Sequence, residues 1–161
     1  MRKHQIELQI NGKAIAREIE PRLSLTDFLR GEQGLSGTHI GCEHGVCGAC
    51  SILLDGVPIR SCLMLAVQAD GHALTTVEGL TQDDGSPGLL QAAFQDAHGM
   101  QCGYCTPGMI ISAQALLVDN DDPSLEQIKD AIGGNICRCT GYVQVIESIQ
   151  LAASRMREAH L

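Results

Sequence analysis

The first twenty residues alternate apolar and polar side chains as a half-buried β-strand does. Ile6, Leu8 and Ile10 fall on one face of a strand, and Ala14 to Ile19 can return beside it. Between the two segments lies Asn11-Gly12, the dipeptide that most strongly favours a two-residue hairpin turn. The pattern therefore predicts an N-terminal β-hairpin.

The next stretch combines short elements with one long irregular loop. Ser24 is a candidate N-cap for a short helix with Leu25, Phe28 and Leu29 on its apolar face. Residues 36 to 50 are too rich in glycine and cysteine for a regular element, so we expect a loop wrapped around a bound group. Strands are predicted over Ser51–Leu54, Val57–Cys62 and Leu74–Val77, with Asp55-Gly56 as the turn between the first two. The N-terminal part is thus predicted to be a small α+β unit.

From residue 79 onwards the apolar positions recur every three or four residues, which indicates helices. A polar linker over 81–86 marks the boundary. The first predicted helix begins at Pro87, and the second begins at Pro107 with Thr106 as its N-cap. The third follows Ser124, which forms a capping box with Gln127, and it ends at Gly133-Gly134. The fourth follows Thr140. Four helices with short loops favour a bundle in which the second and fourth run the same way, so their N-termini meet.

Composition and charge exclude several classes of function. The 161 residues carry a formal net charge of -8 and only two Tyr and two Phe, a poor match to nucleic-acid binding. No stretch approaches the ~20 apolar residues of a membrane span. The N-terminus has neither the continuous apolar run of a signal peptide nor a twin-arginine pair. We therefore expect a cytoplasmic protein that binds neither nucleic acid nor membrane.

The eight cysteines fall into two sets of four, and each set is a candidate metal site. The first comprises Cys42, Cys47, Cys50 and Cys62, in the C-x4-C-x2-C spacing of plant-type [2Fe–2S] proteins with the fourth cysteine twelve positions on. The second comprises Cys102, Cys105, Cys137 and Cys139. Its C-x2-C and C-x-C pairs suit either zinc or an iron–sulfur cluster.

Three other interpretations of the cysteines are weaker. Four disulfides are disfavoured because the expected compartment keeps thiols reduced and the chain has a sizeable core. A Rieske centre would need a second Cys/His pair beside Cys42 and His44, and none has comparable spacing. The six histidines are therefore predicted to be surface or partner contacts. Structural zinc stays open, above all for the second set.

Glycines and helix ends favour clusters over zinc. Gly41, Gly45 and Gly48 lie among the first three cysteines, where close backbone approach would offer N–H donors to cluster sulfur. The cysteines of the second set precede the second and fourth predicted helices. Two helix N-termini, each with roughly half a positive charge, would face a negatively charged cluster.

Four segments together are similar to one family. They are Gly41-Cys42-Glu43-His44-Gly45-Val46-Cys47-Gly48-Ala49-Cys50, Ser61-Cys62-Leu63, Gln101-Cys102-Gly103-Tyr104-Cys105-Thr106-Pro107-Gly108-Met109 and Gly134-Asn135-Ile136-Cys137-Arg138-Cys139-Thr140-Gly141-Tyr142. In order and spacing they resemble the small iron–sulfur subunit of the molybdenum hydroxylases, the xanthine oxidase family. The resemblance covers nearly the whole chain.

The resemblance implies an α+β fold of two domains. Residues 1–78 would form a β-grasp, plant-ferredoxin-like domain and residues 79–161 a four-helix bundle, each with one [2Fe–2S] cluster. Gln101 matches the glutamine that contacts the pterin of a partner subunit, and Cys139 matches the cluster ligand closest to that pterin. No residue is implied to be catalytic, and the chain has no G-x-G-x-x-G nucleotide fingerprint.

The resemblance also implies partners. A large subunit would hold molybdenum on molybdopterin, in its cytosine dinucleotide form, and hydroxylate an N-heteroaromatic compound or an aldehyde. Electrons would pass singly through the C-terminal and then the N-terminal cluster to FAD on a medium subunit, in a hetero-oligomer built as a dimer of heterotrimers. The alternative is a free two-cluster ferredoxin. One departure is Glu43-His44, where many relatives have glycine after the first cysteine.

Overall fold

Five strands form one mixed sheet near the N-terminus. In the computed structural model, which describes residues 3–159, they are β1 His4–Ile10, β2 Lys13–Ile19, β3 Ser51–Leu54, β4 Val57–Arg60 and β5 Ala73–Thr75. The order across the sheet is β2-β1-β5-β3-β4. Only the β1/β5 pair is parallel. The sheet therefore joins two hairpins through the late strand β5.

The predicted Asn11-Gly12 turn is confirmed. Asn11 and Gly12 have φ of 51° and 77°, the left-handed values of a type I′ turn, between the paired residues Ile10 and Lys13. The Asn11 side chain also accepts a hydrogen bond from the Thr76 amide at 2.9 Å and donates one to the Thr76 hydroxyl at 3.0 Å. These bonds tie the hairpin to the chain just after β5.

A short helix covers the apolar face of the sheet. Ser24 caps helix α1, Leu25–Asp27, by accepting from the Asp27 amide at 3.0 Å, and a π-helical turn over Phe28–Glu32 continues it. The predicted face of Leu25, Phe28 and Leu29 is buried. The core it completes contains Ile6, Leu8, Ile10, Ile19, Leu25, Phe28, Leu29, Ile52, Ala66, Ala69 and Leu74.

The remaining helices build a second hydrophobic core. They are α2 Leu89–Asp96, α3 Thr106–Asp119, α4 Leu125–Ile132 and α5 Val143–Ala159. Ser124 and Gln127 form the predicted capping box of α4. Among residues 3–159, no helix has both the length and the apolarity that crossing a bilayer requires. His160 and the outer ends of the predicted domains, residues 1 and 161, lie outside the described residues.

Three helix starts differ from the prediction. At the fourth predicted helix Tyr142 has a left-handed backbone (φ 69°), so α5 begins at Val143 and not directly after Thr140. Pro87 lies outside α2, because the Gly88 amide donates to the Gln91 side chain at 2.7 Å and Gly88 becomes the N-cap. Thr106 lies inside α3, because Cys105 already has helical backbone angles (φ -82°, ψ -16°) and takes the N-cap position. Pro107 is then the second helical residue, where a missing N–H breaks no helical hydrogen bond.

Two predicted strands are shorter than expected. β4 ends at Arg60, and Cys62 lies in a 3₁₀ turn over Ser61–Leu63. β5 ends at Thr75, because Val77 begins another 3₁₀ turn, Val77–Leu80. Cys62 and Val77 therefore lie in turns and not in strands.

The Asp55–His72 contact at the β3–β4 turn predicts a pH effect on stability. The Asp55 carboxylate bonds the His72 ring at 2.6 Å and the Ala73 amide at 2.8 Å, which lowers its pKa. Its stabilising contribution is therefore present above the ordinary aspartate pKa of about 3.9 and is lost as the pH falls through the lower folded value. We expect Asp55→Asn to lower the melting temperature near neutral pH and to converge with the wild type in acid; a constant difference would contradict this.

Candidate metal centres

The first four cysteines are brought together by a loop and a hairpin. Cys42, Cys47 and Cys50 lie on the loop that leads into β3, and Cys62 follows β4. The register pairs Ser51 with Arg60, so the chain returns beside Cys50. The Ser61 hydroxyl then donates to the Cys50 carbonyl at 2.8 Å. This bond fixes the turn that presents Cys62.

Backbone donors surround the sulfur atoms of this loop. The amides of Cys47 and His44 donate to the Cys42 sulfur, the first at 3.4 Å, and lower the Cys42 pKa to about 6. At Gly41 a β-carbon would lie 2.8 Å from the Cys47 sulfur, so the close approach requires glycine there. Donors of this kind stabilise thiolates and the sulfurs of a cluster alike.

The thiols of the first site interact as two pairs. The Cys42 thiol interacts with that of Cys47, and the Cys62 thiol interacts with that of Cys50. Burial, together with the Cys50 thiol, raises the Cys62 pKa to about 11. One member of the quartet thus ionises readily and another resists ionisation in the absence of a metal.

The second quartet forms where the N-termini of α3 and α5 meet, as predicted. Cys102 and Cys105 precede or cap α3, and Cys137 and Cys139 precede α5. The Cys102 and Cys139 sulfurs lie 3.5 Å apart. Burial, together with the neighbouring Cys137 thiol, raises the Cys105 pKa to about 12. This site therefore also consists of two thiol pairs.

Thr140 and Tyr142 form hydrogen bonds with Cys137. The Thr140 amide and hydroxyl approach the Cys137 sulfur at 3.4 and 3.1 Å. Burial disfavours the Cys137 thiolate, but the Thr140 contacts together with the Cys139 amide and the Cys105 thiol outweigh burial and lower the Cys137 pKa to about 7. The Tyr142 hydroxyl accepts from the Cys137 amide at 2.8 Å. The sequence predicts neither contact; it places both residues at the start of the fourth helix and in the last segment of the family resemblance.

The donor set fits a [2Fe–2S] cluster at each site. All eight cysteines are free thiols. Each quartet offers two pairs, and a [2Fe–2S] cluster with four cysteine ligands gives two of them to each iron. The quartets would hold the clusters through Cys42, Cys47, Cys50 and Cys62 and through Cys102, Cys105, Cys137 and Cys139. Such clusters supply one-electron chemistry.

The second quartet has an exposed and a buried side. Gln101, Cys102 and Cys139 are exposed, whereas Cys105 is 9% exposed. Gln101 and Cys139, the residues predicted to face a pterin, therefore lie at the accessible edge of the site.

An aromatic contact links the loops of the two sites on the outside. The His39 and Tyr104 rings stack with centroids 4.8 Å apart. The His39 ring donates to the Tyr104 carbonyl at 2.8 Å, and the Tyr104 hydroxyl donates to the Ile40 carbonyl. Sequence reasoning took His39 for a surface or partner contact. The spacing alone carried no signal for this pair, which is 65 residues apart.

Glu43, the departure from glycine, adopts a left-handed backbone. Its φ is 57°, which costs a residue with a side chain roughly 1–2 kcal/mol. We therefore expect Glu43→Gly to raise the melting temperature by the equivalent of about 1 kcal/mol. Thermal unfolding of the metal-loaded protein measures this shift. Glu147→Gly, an exposed position within helix α5, is the matched control and should destabilise by up to ~1 kcal/mol.

Comparison with known families matches both halves of the chain. The family described as "2Fe-2S iron-sulfur cluster binding domain" matches residues 8–75, and the family described as "[2Fe-2S] binding domain" matches residues 76–150. The chain is thus an iron–sulfur protein with two [2Fe–2S]-binding domains.

Similar proteins show to which class of iron–sulfur protein the chain belongs. The chain is 53% identical to caffeine dehydrogenase subunit gamma of Pseudomonas sp. (strain CBB1), covering 93% of this chain and 91% of that one. It is 47% identical to the nicotine 6-hydroxylase small subunit of Paenarthrobacter nicotinovorans, covering 90% and 87%. A chain in the crystal structure of quinoline 2-oxidoreductase from Pseudomonas putida 86 matches with a TM-score of 0.93, 45% identity and full coverage of both chains. The chain belongs to the small iron–sulfur subunits of xanthine-oxidase-family dehydrogenases.

Proposed function

We propose that this chain carries single electrons from a molybdopterin site on a large partner subunit, through two [2Fe–2S] clusters in series, to FAD on a medium subunit. The observation that carries the proposal is the pair of four-thiol sites joined directly through the backbone. The Ile136 amide donates to the Cys47 carbonyl at 2.9 Å. Cys47 belongs to the first site, and Ile136 directly precedes Cys137 of the second. This bond holds the two sites side by side, which supports a one-electron route across the chain.

The order of transfer in this proposal is the one that the family resemblance implies, and the accessible side of each site supports it. In the proposal, Gln101 contacts the pterin and Cys139 is the ligand nearest to it, because both lie at the exposed edge of the second site. At the first site Val46 and Leu63 are 57% and 65% exposed. We assign this apolar surface to the flavin subunit, since large exposed apolar side chains beside a redox centre are suited to partner contact.

The finer architecture belongs to the same proposal. The sheet with α1 would be a β-grasp, plant-ferredoxin-like domain over 1–78, and α2 to α5 a four-helix bundle over 79–161. The two separate hydrophobic cores support this division. The complex would be a dimer of heterotrimers in the cytoplasm, where the eight free thiols stay reduced until clusters are assembled.

The substrate would belong to the large subunit. The names of the relatives above refer to caffeine, nicotine and quinoline, all nitrogen-containing ring compounds. This favours an N-heteroaromatic compound over an aldehyde as the substrate class. The chain itself would contribute no group to the hydroxylation.

Metal analysis and EPR of the purified protein test the proposal. The chain should contain iron and acid-labile sulfide, and dithionite reduction should produce two distinct S = 1/2 signals. Zinc without sulfide would contradict it. Purification from the native source should yield molybdenum- and flavin-containing polypeptides in the same complex, whereas a lone monomeric carrier would support the free ferredoxin instead.

A further inference from the structure

Three backbone segments meet between the two thiol sites with almost no space to spare. They are the loop at Gly48, the first turn of α3 at Gly108, and Gly134. A β-carbon on Gly48 would lie 2.4 Å from the Gly134 carbonyl oxygen, and one on Gly108 would lie 2.3 Å from the Gly48 carbonyl oxygen. The segments carrying the cysteines are therefore in direct main-chain contact.

The Asn135 side chain is the polar centre of this junction. It is 1% exposed. Its amide nitrogen donates to the Gly48 carbonyl at 2.9 Å and contacts the Ser51 hydroxyl at 3.3 Å. Its amide oxygen accepts from the Ser112 hydroxyl at 2.8 Å. One side chain thus binds the loop of the first site, the strand after it, and helix α3.

The Asn135 bond to Gly48 lies beside a backbone hydrogen bond between the two sites. The next residue, Ile136, donates its amide to the Cys47 carbonyl at 2.9 Å. Adjacent residues of one segment, Asn135 and Ile136, thus bind adjacent residues of the other, Gly48 and Cys47. Arg60 reinforces the junction by donating to the Gly134 carbonyl at 2.7 Å.

We propose that Asn135 is the positioning residue that sets the separation and contact of the two cluster sites and so controls electron exchange between them. This inference rests on the proposed function. In each exchange one electron leaves the site that includes Cys137 and arrives at the site that includes Cys47, so the first is oxidised and the second reduced by one electron. Asn135 neither gains nor loses a proton.

The test uses the full-length, metal-loaded chain and the variants Asn135→Ala and Ser112→Ala. Flash photoreduction followed by rapid freezing measures the rate of electron exchange between the clusters. EPR of the fully reduced protein measures the magnetic splitting between the two spins. Leu117→Ala is the control, because Leu117 is buried in the helical core and lies near the other end of α3. It should destabilise the chain without altering the junction.

We expect Asn135→Ala to slow exchange by about tenfold or more, equivalent to ~1.4 kcal/mol in an activation barrier, and to change the splitting. Ser112→Ala should change the exchange rate and the splitting in the same direction as Asn135→Ala, but by a smaller amount. Leu117→Ala should leave the exchange rate and the splitting unchanged. Loaded variants with wild-type exchange and splitting would overturn the inference. If the Asn135→Ala chain does not take up both clusters, the exchange rate and splitting of Ser112→Ala are compared with those of the wild type instead, and wild-type values would overturn the inference. A wild-type chain without iron and sulfide would instead refute the proposed function.

Discussion

Replacing Cys105 by serine is expected to abolish one of the two reduced-state EPR signals and leave the other. Cys105 is buried and its thiol interacts with that of Cys137, so it lies on the inner side of the second site. Serine offers a hydroxyl that is much harder to ionise than a thiol and a poor match to iron, which in such clusters is held by thiolate. The first site takes no ligand from this region.

The matched variant Cys50→Ser should give the complementary result. Cys50 is likewise buried and pairs with Cys62 at the first site. Iron content should fall by about half in each variant, since each site would hold one of two equal clusters. Because metal binding contributes to folding, each variant should also melt at a lower temperature. Retention of both signals in either variant would contradict the assignment of its ligands.

Sequence reasoning succeeded where the signal is local. The Asn11-Gly12 turn and the Ser124 capping box each depend on a few adjacent residues, and both formed as predicted. The convergence of the second quartet also followed from local signals, since the cysteines lie beside helix starts. Helix direction then brings the starts of α3 and α5 together.

The same reasoning failed where two neighbouring residues compete for one role and where distant groups form a contact. Pro87 and Thr106 each matched a helix-start rule, but the Gln91 side chain and the backbone of Cys105 moved the starts by one or two residues. The contacts of Asn135 could not be predicted from the sequence at all. Its partner Gly48 is 87 residues away, and no periodicity or spacing links two such positions. Tertiary hydrogen bonds of this kind are specified only once the two cores have packed.

The second large effect is expected from Gly48→Ala, which places a methyl group in the junction between the sites. Gly48 has φ +73°, and its added β-carbon would meet the Gly134 carbonyl at 2.4 Å and the Asn135 α-carbon at 2.9 Å. These are backbone atoms, which cannot rotate away as a flexible side chain can. Left-handed strain of roughly 1–2 kcal/mol and overpacking of about 1–3 kcal/mol together predict a loss of about 2–5 kcal/mol.

Gly56→Ala separates the two costs. Gly56 has φ +84°, but its added β-carbon would meet nothing within 4 Å, so only the conformational strain of roughly 1–2 kcal/mol applies. For a chain of this size each kcal/mol shifts the melting temperature by about 2–4 °C, so differential scanning calorimetry can resolve the two variants. Gly48→Ala should melt clearly below Gly56→Ala. Equal shifts would mean that the backbones at Gly48 and Gly134 can separate at no cost, and the close junction between the two metal sites would not be a rigid feature of the fold.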